Sequence, residues 1–336
     1  MELYKYLQRI PKSAIFSEEG YFVWCGSLIR HGDTYYLFYS RWKKEYGFDA
    51  WVTHSEIALA SSKELFGEFR FEKVLFTKED SNAWDRDCFH NPCVIQKDGV
   101  FYLYYMANYG DGTYWDHRNH QRIGVAYATH PLGEWTRSPS PVIDVSNAGF
   151  DCLMTSNPSV CLTPDGRVAM LYKGVGRERG LPKGGPVVCG MAYASHPLGP
   201  FEKTGIPVMQ NPEHPWSVED PCLFFDGDRM CAIVKDFQGY FTGTGSTSLA
   251  LFISPDGVDF LPAKEPLAMP LILPMEAGDL AVKRLERQQL YYENGELKAL
   301  VLAVMPHPEN GEVHSFSVRV PIRSSKNTEK NDDSKV

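Results

Sequence analysis

Tyr127–Trp135 reads YATHPLGEW, and Tyr193–Phe201 reads YASHPLGPF. The two stretches align without a gap at an offset of 66 residues. Ala58–Phe69 (ALASSKELFGEF) carries the same pattern one period upstream, so Gly67, Gly133 and Gly199 occupy one position of a repeat. A looser copy lies at Ile253–Phe260 (ISPDGVDF).

A second marker precedes each copy. Cys25-Gly26-Ser27 leads to TYYLFY at Thr34–Tyr39, and Asn91-Pro92-Cys93 leads to FYLYY at Phe101–Tyr105. Asn157-Pro158-Ser159, Asp220-Pro221-Cys222 and Glu286-Arg287-Gln288 lead in turn to VAMLY, MCAIV and LKALVLAV. Taken from Cys25, Asn91, Asn157, Asp220 and Glu286, the markers are spaced 66, 66, 63 and 66 residues. Between marker and apolar run stands a Gly turn such as Asp98-Gly99 or Asn294-Gly295, where Gly supplies the positive φ that a tight hairpin needs. A sheet of this size cannot cover both its faces, whereas sheets stacked around an axis cover one another. Five markers therefore predict an all-β fold: a five-bladed β-propeller of four-stranded antiparallel blades.

The expected propeller spans residues 1–323 as one domain, with blades starting near 22, 88, 154, 217 and 283. The last unit shows only three clear strands, and strand-like residues are spare at Lys12–Ser17. The N-terminal segment is therefore expected to complete the last blade and close the ring. The polar stretch 324–336 is expected to be a disordered tail.

The composition agrees with a large folded chain: 336 residues, 43% hydrophobic and 13% aromatic. A net charge of −8 without a basic cluster argues against nucleic acid as a partner. No apolar run reaches the roughly 18 residues of a membrane span, and Met1–Ile10 lacks the apolar core of a signal peptide. The expectation is a cytoplasmic monomer or homodimer that needs no membrane. The eight cysteines form no CxxC pair and sit mostly in apolar runs, as reduced core residues do.

Inner strands of a propeller line its channel, where a charged side chain is costly unless paired or used. Glu219 and Asp220 open the fourth inner strand, and alternation is expected to send them to opposite faces. Glu286 and Arg287 open the fifth. These carboxylates break the Asn-Pro pattern of blades two and three, which marks them as catalytic candidates. Asp85 and His90 are second-rank candidates; Asp85 recurs as Asp151 one period on, which suits a loop anchor equally well. Candidate substrate-binding groups are Trp24, Arg41, His54, Asn91, Arg122, Asn157, Lys173, Lys235, Asp236 and Arg287. Other aromatics expected near the mouth are Trp42, Trp51, Trp84, Trp115 and Trp216. Phosphate-loop, dinucleotide and zinc-protease motifs are absent, and no metal-ligand set is read. No cofactor is required; a single divalent cation in the channel stays open.

With these motifs in place, the chain resembles the five-bladed propeller glycoside hydrolases, families 43 and 117 among them. Ser27–Tyr39 (SLIRHGDTYYLFY) resembles the first blade of family 43. Val218-Glu219-Asp220-Pro221 resembles the blade carrying that family's general acid, which implies that role for Glu219. Family 43 has Asp where this chain has Cys25 and a second Asp where it has Asn157, so its three-carboxylate set is not reproduced. The set of Asp220 and Glu286 with a His as acid is closer to family 117. The resemblance covers roughly residues 20–320. It implies an exo-acting glycosidase that releases a terminal sugar from a plant or algal oligosaccharide, with inversion. A non-catalytic sugar-binding propeller and a phosphorylase of the family 130 type are the alternatives.

Overall fold

The computed structural model describes residues 3–227 and 229–323. The expected tail at 324–336 lies outside the described residues. Five antiparallel sheets follow one another along the chain. Blade one is built from Tyr21–His31, Thr34–Lys43, Glu56–Ser62 and Arg70–Phe76. The inner strands of the next three begin at Cys88, Met154 and Val218. Each continues outward through three more strands paired in sequence order.

The hairpins joining first and second strands form where the sequence offers Gly turns. Asp98 (φ 52°) and Gly99 (φ 80°) make one, and Asn294 (φ 52°) and Gly295 (φ 75°) another. Second strands are flanked on both faces by neighbouring blades, so they are apolar throughout rather than alternating. Leu103, Tyr104, Tyr105 and Met106 are all fully buried. Apolar wedges fill the spaces between blades. Phe38, Leu59, Phe89 and Tyr105 pack between blades one and two, and Tyr104, Val160 and Tyr172 between two and three.

Blade five is where the two ends of the chain meet. Its strands are Gly278–Glu293, Glu296–Pro306 and Phe316–Pro321, and the fourth is Ile15–Phe16 from the N-terminus. The expected closure is observed: Ile15 pairs with Val318 and Phe16 with Ser317. An extra short strand, Ile272–Met275, pairs with the start of the inner strand. Arg319 is fully buried behind this closure and donates to the carbonyls of Ser13, Leu65 and Gly67. Three carbonyls thus meet a cation whose burial lowers its pKa. No helix among the described residues is long and apolar enough to cross a membrane.

Phe16 is 5% exposed and packs edge-on against Tyr39 of blade one, with ring centroids 4.9 Å apart. Phe16→Ala is expected to cost about 3 kcal/mol, the usual range for emptying an aromatic site. Urea unfolding should show a lower midpoint at unchanged slope; a shift under about 0.5 kcal/mol means the ring does not depend on this strand.

Candidate active site

Each inner strand is interrupted near its start by a bulge. The pairing register skips between Trp24 and Ser27, His90 and Cys93, Ser156 and Ser159, Glu219 and Cys222, and Glu286 and Gln289. Within the bulges Cys25, Asn91, Asn157, Asp220 and Arg287 have φ of 59°, 57°, 52°, 55° and 52°. A left-handed conformation at a residue with a Cβ is uncommon and costs free energy, so its recurrence at one place in five blades is a design constraint. The bulge breaks the two-residue alternation. Consecutive residues then both face the axis, and Glu219 and Asp220 line one cavity rather than pointing apart. The same geometry corrects the fifth marker by one residue: Arg287, not Glu286, is in phase with Asp220. Glu286 is the counterpart of Glu219, His90 and Trp24.

The positive-φ residues form a floor. The Cys25 thiol donates to Asn91 Oδ1 at 3.0 Å, Asn91 Nδ2 to Asn157 Oδ1 at 2.8 Å, and Asn157 Nδ2 to Asp220 Oδ1. Arg287 Nη1 stands 3.7 Å from Asp220 Oδ1. Arg287 Nη2 also reaches across the axis to Pro158 O, and Gln289 Nε2 to Pro92 O. Side chains from blade five thereby plug the channel. Above the floor is a dead-end cavity of ≈ 250 Å³.

A second tier holds the charges. Lys235 Nζ lies 3.1 Å from Glu219 Oε1 and 2.6 Å from Glu286 Oε1, and Lys173 Nζ lies 3.2 Å from Glu219 Oε2. Lys235 sits opposite Glu219 in the strand register, as Lys173 does opposite Ser156. Burial opposes charging Glu219, but the two ammonium groups outweigh it and hold its carboxyl down at about 2. Glu219, the general acid that the resemblance implies, is therefore ionised in the empty site. Asp220 goes the other way. Burial first, then repulsion from Glu219, raises its carboxyl to about 6 in spite of Arg287. Buried His90 accepts or donates at 2.7 Å to Ser55 Oγ through Nδ1, and burial holds its pKa well below the usual range. It stays a neutral ring at pH 7.

The walls come from residues just before the inner strands and just after the second strands. Trp24, Trp51, Phe48, Tyr114, Trp216 and Phe237 supply apolar surface. Arg118, Gln121, Asp49 and Arg284 line the cavity as well, and none was singled out from the sequence. Most of these lie on loops joining second to third strands, which the repeat does not describe. The length of those loops, against the two-residue turns at the opposite end, was the available signal.

Of the residues expected at the site, Trp24, His90, Asn91, Asn157, Lys173, Glu219, Asp220, Lys235, Glu286 and Arg287 line the cavity. Five do not. Arg41 forms ion pairs with Glu18 and Glu56 on the flank of blade one, between the rings of Tyr21 and Phe71. His54 stacks on Tyr46 at the end of a short helix, with centroids 4.2 Å apart. Asp85 accepts from Tyr105 Oη at 2.9 Å and faces Arg137, the anchoring role its recurrence allowed. Asp151 does the same for Tyr172 and Lys203. Arg122 pairs with Asp144 at 2.6 Å. Asp236 is fully buried and accepts the backbone N–H groups of Tyr240, Phe241 and Thr242, which fixes a rim loop. Among the aromatics, Trp84 stacks on Tyr105, and Trp115 stands outside beside Arg118. Among the described residues, no group of three or more His, Cys, Asp or Glu is arranged to hold a metal ion.

No protein-family model and no curated protein matches the chain. Solved structures do. A family 117 glycoside hydrolase from the marine bacterium Zobellia galactanivorans superposes with a TM-score of 0.67 at 20% identity, over 95% of this chain and 90% of that one. An endo-arabinase from Bacteroides thetaiotaomicron VPI-5482 gives 0.62 at 14%, over 94% and 97%. A thermostable family-43 glycoside hydrolase gives 0.61 at 14%, over 95% and 92%. The likeness is one of fold, and the five-bladed propeller read from the repeat is what these structures share.

The two adjacent carboxyls give opposite pH signatures. Glu219 titrates lower in the folded than in the unfolded chain, so its stabilising share is complete above its usual 4.5 and is lost as pH falls towards 2. Asp220 titrates higher, so wild-type stability falls as pH rises from about 4 to 6 and stays lower above it. A rise from 3.8 to about 6 corresponds to a deficit on the order of 3 kcal/mol. Asp220→Asn removes that titration and keeps an acceptor for Asn157. Its stability relative to wild type should therefore climb across pH 4–6, measured by urea unfolding at each pH. Parallel curves for the two proteins count against a raised Asp220.

Proposed function

We propose that this chain is an exo-acting glycoside hydrolase that releases a terminal sugar from a plant or algal oligosaccharide with inversion. The observation that carries the reading is the pairing of unlike carboxyls in one cavity. Asp220 is placed to hold a proton near neutral pH, while Glu219 and Glu286 are held ionised by shared lysines. Glycoside hydrolysis needs that division: one carboxyl protonates the leaving oxygen and another takes a proton from water.

In this reading Asp220 gives its proton to the glycosidic oxygen. Glu286 takes a proton from the water that attacks the anomeric carbon, and the bond to the leaving group breaks as the new one forms. Glu219 stays charged and favours the positive charge that develops on the sugar ring. Asp220 recovers its proton from solvent after the products leave. Trp24, Trp51 and Trp216 offer faces on which a sugar ring can stack. The plugged floor supports exo action, because a chain end fits a dead-end cavity and a chain interior does not. The likeness in fold to glycoside hydrolases of families 43 and 117 adds weight to the class of reaction.

Screening aryl glycosides and natural oligosaccharides, with and without phosphate, is expected to show phosphate-independent release of one terminal sugar. On the best substrate, Asp220→Asn and Glu286→Gln should each lower kcat by about 10²–10⁴, the usual worth of a positioned acid or base, with cooperative unfolding retained. Full turnover in both variants rejects the assignment, and phosphate-dependent release of a sugar phosphate replaces hydrolysis with phosphorolysis.

A further inference from the structure

The cavity runs against the charge of the whole protein. The chain carries a net −8, yet Arg118, Lys173, Lys235, Arg284 and Arg287 line the site against four carboxylates. The lysines are committed, to Glu219 and Glu286. Two arginines are not. Arg287 is 2% exposed on the floor, and its Nε and Nη1 have no hydrogen-bond partner. Its one ion contact, at 3.7 Å, is to Asp220. Arg118 is buried in the wall, where Nη1 donates to Lys183 O and Asn119 Oδ1, and it forms no ion pair with a carboxylate among the described residues. A buried guanidinium left short of acceptors is costly, and its planar fork suits an oxyanion. Lys183 adds a further cation at the rim, 5.1 Å from the centre of the Trp216 ring.

We propose that the terminal sugar taken by this cavity carries a carboxylate, as a uronic acid does, and that Arg287 binds it while Arg118 draws the anion into the opening. The assignment rests on the glycoside reading of the same site and narrows its substrate class. It also fits the chemistry there. A substrate carboxylate on Arg287 takes over the counter-ion of Asp220, which favours the protonated form of that acid when substrate is bound.

Binding, measured by titration calorimetry without turnover, separates this proposal from the hydrolase reading. The probes are glucuronate and galacturonate, their neutral parents glucose and galactose, and inorganic phosphate. Wild type is expected to bind one uronate at least tenfold more tightly than its neutral parent. Arg118→Gln should weaken that uronate several-fold and leave the neutral sugar unchanged. Arg287→Lys keeps the charge but loses the fork, and should remove most of the preference. If Arg287→Lys does not fold, Arg118→Gln alone decides. Equal binding of uronate and neutral sugar overturns the proposal, as does phosphate that binds as tightly as the uronate and competes with it. Uronate binding without hydrolysis of any uronide keeps the carboxylate site and removes the hydrolase. Turnover of neutral glycosides with no preference for uronides does the reverse.

Discussion

Five residues held at positive φ set the geometry on which everything else rests. A regular strand would alternate its side chains and give each blade one inward residue at this level. The bulge at Cys25, Asn91, Asn157, Asp220 and Arg287 gives each blade two, at the cost of local strain. The lower of the two ties itself to its neighbours around the axis, from thiol to amide to amide to carboxyl. The upper is left to vary: Trp24, His90, Ser156, Glu219 and Glu286. One repeated backbone irregularity thus supplies both a conserved frame within the chain and five places where chemistry can differ. Gly26 shows how tight the frame is. A Cβ there would stand 2.8 Å from Ser317 Oγ and Val301.

Electrostatics then divides labour among groups of one chemical type. Glu219 and Asp220 are neighbours in sequence and share a burial penalty. Two lysines reach Glu219, while Asp220 has only a loosely placed arginine and two like charges nearby. Position along a single strand therefore separates an ionised carboxyl from one able to hold a proton. The lysines come from second strands, one register step from the groups they hold, so the ladder that builds the sheet also builds the charge pattern.

The fold was legible because its period is written in turns: YATHPLGEW and YASHPLGPF differ at three positions and sit 66 residues apart. The floor was legible for the same reason, since Cys25, Asn91, Asn157 and Asp220 belong to the repeat. The frame slipped by one residue in blade five, where no Pro follows the marker to fix it. Arg41, His54, Arg122 and Asp236 look like site residues in a linear reading. Their placement depends on which face of a second or third strand they occupy and on what a rim loop does, and a bulge upsets the count of faces. Arg118 and Tyr114 escaped notice because they belong to an inserted helix with no counterpart in the other blades.

The clasp between Ile15–Phe16 and Phe316–Pro321 has a consequence for how the molecule is made. The residues that leave the ribosome first pair with the strand that leaves it nearly last. Until then Leu3, Ile10 and Phe16 have no apolar partners in blade five, and the opening inner strand of that blade has no outer edge. Blades one to four can assemble in order of synthesis, but the ring stays open through translation, with sticky surface at both its ends. Such a chain is most exposed to mispairing with other copies just before it is finished, and quickest to be safe once released.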